Sequence, residues 1–252
     1  MKKFLVASVV VIAAVVLGTA TTQATILVNE AFNYANGDIT TVSGGTWTSF
    51  SGTTALNVLN GAANPTGANS MDDSISLGGT HSSDQIYAGF DADVLTWSPA
   101  NSTGYFALFK DASTFNFFAR TYVTNVTGGV EFGISTGATQ PPIWSSAVAL
   151  GATDRVVISL DQTGATLASS LWLNGTLVGT ATATNASGYG ISAFALRQSN
   201  STTEGSLLID NLQVATTFAE ANTVVPEPST MALLGFGLVS MLALGRRHVS
   251  RK

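Results

Sequence analysis

The chain has 252 residues, with ten Lys and Arg against fifteen Asp and Glu, a formal net charge of −5 at pH 7. Between Thr25 and Thr223 the only fixed cations are Lys110, Arg120, Arg155 and Arg197, so this portion is clearly acidic and unsuited to binding nucleic acid. Cysteine is absent, which excludes disulfides, thiolate metal sites and a cysteine nucleophile.

Met1 to Ala24 has the three parts of a secretory signal: Lys2 and Lys3, an apolar stretch from Phe4 to Leu17, then the small residues Gly18, Ala20 and Ala24. Signal peptidase is expected to cut after Ala24, with Ala20 as the alternative. An uncleaved anchor helix is the competing reading, and under either the body is exported.

From Ile26 onward apolar and polar residues alternate in short runs. These are Ile26 to Phe32, Ala55 to Leu59, Gln85 to Leu95, Tyr105 to Lys110, Phe115 to Val123 and Val130 to Ser135. Arg155 to Leu160, Leu171 to Asn174, Thr176 to Ala181, Ile191 to Arg197 and Ser206 to Val214 follow. Period two predicts half-buried strands, and turn residues punctuate the gaps. No segment of the body carries a sustained helical stripe. About a dozen strands are too many for one flat sheet, so residues 25–219 are predicted to form an all-β, two-sheet antiparallel jelly-roll sandwich. The sharpest local signal is Leu171 to Gly179, where Asn174-Gly175 supplies both positive φ angles of a type I′ turn.

Candidate chemistry is sparse. Asp91 and Asp93 share one face of a strand and could offer two oxygen ligands to calcium, although a solvated strand face explains the same alternation. No other cofactor is expected. Asp72-Asp73 follows a Gly/Asn loop and reads as the end of a turn, and Asp210 as a local structural residue. His81, the one histidine of the body, has no nucleophile-elbow motif beside it and reads as a loop residue. The four Trp and the five Tyr could furnish stacking platforms for sugar rings, though most strand positions should be core. Trp97 and Trp144, beside proline-containing loops, are the better candidates for exposed glycan contacts. Glu30, Glu131, Glu204 and Glu220 are scattered, without the paired carboxylates that glycoside hydrolysis requires.

After a linker at residues 220–224, the C-terminal segment 225–252 opens with Val225-Pro226-Glu227-Pro228 and continues into an apolar run. Residues 229–245 would make a helix of about 26 Å, the short edge of a transmembrane span. Arg246 and Arg247 form a basic stop that the positive-inside rule keeps in the cytoplasm. The two prolines favour a stiff, extended and accessible motif just outside the membrane.

This order of short motif, apolar helix and basic stop resembles the PEP-CTERM sorting signal. The resemblance implies recognition by an exosortase, removal of the helix, and release or attachment at the cell surface, with exopolysaccharide production a common companion. A second resemblance rests on Leu27 to Phe32, the hairpin Trp172 to Gly179, and Ile209-Asp210-Asn211-Leu212-Gln213-Val214. Together these look like a concanavalin A-like lectin/glucanase domain of the laminin-G-like kind, whose first and last strands lie in one sheet.

The expectation is therefore an inner-membrane-anchored precursor that becomes a surface or extracellular protein. It would be non-catalytic and associated with exopolysaccharide or matrix through a lectin-like sandwich. A purely structural matrix protein and an unusual glycoside hydrolase are the alternatives.

Overall fold

The alternating runs become sixteen β-strands in a computed structural model that describes residues 24–97, 102–199 and 204–224. The strands are β1 (Ile26–Glu30), β2 (Gly37–Asp38), β3 (Trp47–Ser51), β4 (Asn57–Leu59), β5 (Ala62–Asn64), β6 (Asp72–His81), β7 (Gln85–Thr96) and β8 (Thr103–Asp111). They continue as β9 (Phe117–Val126), β10 (Gly129–Ser135), β11 (Ile143–Trp144), β12 (Thr153–Asp161), β13 (Thr166–Leu173), β14 (Thr176–Ala186), β15 (Ile191–Leu196) and β16 (Ser206–Ala215). Two single-turn helices, α1 (Ile39–Val42) and α2 (Phe218–Ala221), flank them. Among the described residues no helix is long and apolar enough to cross a membrane. The expected signal segment before Ala24, and the sorting tail with Val225, Pro226, Glu227, Pro228, Arg246 and Arg247, lie outside the described residues.

The strands form two antiparallel sheets. One has nine strands in the order β14-β13-β12-β7-β16-β5-β4-β2, with β1 also on β16. The other has seven, in the order β11-β10-β9-β8-β15-β6-β3. As the second resemblance implied, the first and last strands pair, with Val28 opposite Val214 and Glu30 opposite Leu212. The core lies between the sheets. Phe90 on β7 meets Phe106 on β8 and Phe194 on β15 at ring centroids 6.0 and 5.9 Å apart, bridging the layers edge-on and tilted. Each fully buried Phe of this kind contributes roughly 2–3 kcal/mol by removal from water.

The predicted hairpin is present: Asn174 and Gly175 have φ of 51° and 79°, and Leu173 pairs with Thr176. Asn174 also ties the turn to β12, accepting from Arg155 N at 2.9 Å and donating to Asp154 Oδ1 at 2.7 Å. At the other end of the body, Glu30 is buried yet satisfied. Its carboxylate accepts from Phe32 N, Tyr34 OH and Trp47 Nε1, at 2.7, 2.7 and 3.1 Å.

Three expectations are corrected. Asp72 and Asp73 do not end a turn; they open β6, where Asp73 is fully buried. With the period of a strand, Asp73 shares the inward parity of Ile75 and Leu77, both core residues. His81 is the last residue of β6 rather than a loop residue, its Nδ1 2.6 Å from Asp84 Oδ2. The body also runs past residue 219: α2 packs Ala221 into a small cluster with Val157 and Ala215. Arg155 Nη2 donates to the carbonyl oxygens of Ala221 and Thr223 at 2.6 and 3.4 Å.

Candidate functional site

The outer face of the seven-stranded sheet carries an unusual set of side chains, and two irregularities place them there. On β9, Phe118 is opposite Phe109 and Thr121 is opposite Ala107, so Ala119 and Arg120 together face the single residue Leu108. This is a β-bulge, and Ala119 takes φ of 47°, a region that a side chain rarely adopts. Strict alternation from Phe118, a core residue, would aim Arg120 inward. The bulge turns it outward beside Phe117. On β8 the compensating extra residue falls at Phe106 and Ala107, both core residues, so that Tyr105, Leu108 and Lys110 remain outside.

The result is a row of rings that crosses the sheet. Trp144 on β11 meets Tyr122 on β9 at 6.2 Å, and Tyr122 meets its cross-strand partner Tyr105 at 5.5 Å. Tyr105 meets Phe117 at 6.3 Å, and Phe117 meets Phe50 on β3 at 6.0 Å. Trp144 finds room because its pairing partner on β10 is Gly133, where an added Cβ would come within 2.6 Å of the indole. Tyr105, Tyr122 and Trp144 are half-buried, and Phe115 at the end of the row is 69% exposed.

Cations lie over these rings. Arg120 Cζ is 4.8 Å from the Tyr105 centroid and 5.5 Å from that of Phe117, while Arg197 Cζ is 4.2 Å from Tyr105. Lys110 Nζ is 4.9 Å from the Phe50 centroid and donates to the Asp111 carbonyl; burial lowers its pKa. Burial also pushes the Tyr105 hydroxyl pKa up, against the pull of Arg197 and Arg120. Beside Arg120 the sheet opens into a cleft of about 240 Å³, which Asn116, Phe117, Thr136, Gln140 and Tyr189 help to line.

The residues singled out in the sequence fare differently. Trp144 belongs to this row. Trp97 does not: it is only 4% exposed, sits in the core cluster, and its Nε1 donates to the Ser102 carbonyl at 2.9 Å. Its position beside a proline-containing loop was misleading because the indole folds inward at the end of β7. Asp91 and Asp93 do share a face, but they do not assemble a calcium site: Asp91 accepts from Arg155 at 3.2 Å and from Asn211 Nδ2 at 2.8 Å, so a guanidinium occupies the place a cation would need. Among the described residues no three His, Cys, Asp or Glu cluster as metal ligands. Tyr105, Tyr122, Arg120 and Arg197 were legible as residue types, but no sequence signal showed the two bulges that gather them.

Residues 224–247 match the model of the PEP-CTERM protein-sorting motif. No curated protein matches the chain in sequence. Among solved structures, the chain is similar to the carbohydrate esterase vb_24B_21 from Shiga toxin-encoding bacteriophage phi24B, with TM-score 0.52 and 12% identity over 77% of this chain and 99% of that one. It is similar to a sialidase with TM-score 0.50 and 12% identity, over 84% of this chain but only 21% of the sialidase chain. The carbohydrate recognition domain of Emp47p gives TM-score 0.47 and 9% identity, over 75% of this chain and 93% of that one. At such identities the likeness is one of fold. The chain thus joins a two-sheet antiparallel jelly-roll body to a C-terminal segment that matches the PEP-CTERM protein-sorting motif, the mark of a secreted protein held transiently in the membrane by its tail.

Proposed function

We propose that this is a non-catalytic surface protein that binds glycans along the outer face of its seven-stranded sheet, in association with exopolysaccharide or extracellular matrix. Signal peptidase and an exosortase would process its two ends. The observation that carries the reading is the row from Trp144 through Tyr122 to Tyr105, three partly open rings beside the guanidiniums of Arg120 and Arg197. Rings of this kind offer apolar faces on which the C–H faces of sugars stack, and a few polar groups fix orientation.

The test is a glycan array probed with the full chain in mild detergent, alongside Trp144→Ala and Tyr122→Ala variants shown by circular dichroism to be folded. Selective binding that falls at least about tenfold in both variants, a loss of some 1.4 kcal/mol, supports the reading. Blank arrays would leave a purely structural matrix protein as the account. Release of reducing sugar from a bound glycan would instead make it a hydrolase.

A further inference from the structure

We infer that the ligand is a uronic-acid-bearing polysaccharide whose carboxylates meet Arg120 and Arg197; this rests on the glycan-binding reading above. Fourteen Asp and Glu and four Lys and Arg lie between Thr25 and Thr223, yet three of those four cations, Lys110, Arg120 and Arg197, stand on one face of one sheet. The fourth, Arg155, is consumed by Asp91 and by backbone carbonyls elsewhere.

Arg120 and Arg197 are brought together over a single ring, that of Tyr105. Arg120 on β9 and Arg197 just past β15 flank Tyr105 on the intervening β8, so an anionic chain laid across the ring would gain from both cations. Asp72 and Glu204 exert a field at Arg197, but neither guanidinium forms an ion pair among the described residues. Arg120 Nε is moreover buried without a hydrogen-bond partner. A guanidinium held over an aromatic ring can still direct its terminal N–H groups at a carboxylate. The same ring row supplies the sugar-stacking surface, so charge and ring recognition fall on one track.

Charge density selects among polyanions. The body as a whole is strongly acidic and repels a densely charged chain, while a polysaccharide with one carboxylate per sugar can place its charge on the two arginines and its rings on Tyr122 and Trp144. Nucleic acid and heavily sulfated chains are disfavoured on the same ground.

Polygalacturonate and its methyl ester separate these effects, because they share a backbone and differ in charge. The full chain is expected to bind polygalacturonate at least about tenfold more tightly than the ester, with a preference that weakens as salt rises. Arg120→Gln and Arg197→Gln should each remove most of that preference. Trp144→Ala should weaken both ligands alike. Equal binding of acid and ester would overturn the inference while leaving glycan binding intact, as would tighter binding of dextran sulfate than of polygalacturonate. If folded protein binds neither these nor any neutral glycan, both readings fall.

Discussion

Asp91 on β7 and Arg155 on β12 are register partners, and Arg155 Nη1 lies 3.2 Å from Asp91 Oδ1 in a largely buried pair. The guanidinium also donates to the Asn211 carbonyl at 2.9 Å and to that of Ala221 at 2.6 Å, so one side chain joins β7, β12, β16 and α2. Arg155→Ala removes the cation from Asp91, which keeps the Asn211 Nδ2 bond, and takes a donor from the carbonyls of Asn211, Ala221 and Thr223. The expected loss is about 2–4 kcal/mol in urea unfolding. Faster proteolysis near α2 should accompany it, and an unchanged unfolding midpoint would show that the pair is incidental.

Asp73 makes stability depend on pH. Burial, reinforced by Asp38 and Asp72 and opposed by Ser49, pushes its carboxyl up to about 7. Burial pushes Asp72 up to about 6, against the Gln198 amide and Arg197. A carboxyl held above its unfolded value stabilises the fold while protonated, so its contribution is full below about pH 4 and is lost as pH rises through about 7. Melting temperature should therefore fall across this window. Asp73→Asn, an isostere of the protonated acid, should flatten the profile and melt higher than the parent at about pH 8. An unchanged slope in this variant would place the titration elsewhere.

Gly133 holds a position for Trp144. An added methyl at 2.6 Å from the indole forces the ring off the sheet. Gly133→Ala should cost about 1–3 kcal/mol by overpacking, shift the tryptophan fluorescence, and reduce glycan binding about as far as Trp144→Ala does. Retained binding in Gly133→Ala would show that the ligand does not use this end of the row.

The two tryptophans that the sequence put on an equal footing should part company. Trp97→Ala removes a core side chain and is expected to cost about 3–5 kcal/mol, with little direct effect on ligand affinity in the folded fraction. Trp144→Ala should do the opposite, leaving the urea midpoint within about 1 kcal/mol while weakening binding. Thermal and binding measurements on the same preparations distinguish them.

The architecture was largely legible, and the reason is periodicity. Runs such as Gln85 to Leu95 and Val130 to Ser135 alternate cleanly because one face meets the core, and Asn174-Gly175 names its turn by backbone chemistry alone. What alternation could not convey was any place where it breaks. Asp73 is a polar residue at an inward position, so the pattern hid β6 and suggested a turn. The bulge at Ala119 shifts Arg120 from one face to the other, and only the pairing register of β8 and β9 reveals it. The candidate face therefore stayed invisible while most of the residues that build it were in plain view.

The junction of β1 and β16 has a mechanical meaning. Thr25 N donates to Thr216 Oγ1 and Ile26 lies opposite Ala215, so both ends of the body leave from one corner of the nine-stranded sheet. Tension applied through the C-terminal segment enters along β16, which is hydrogen-bonded to β1, β5 and β7. Such a pull shears many ladder bonds at once instead of peeling them singly. The ring row sits on the opposite sheet, outside that line of force.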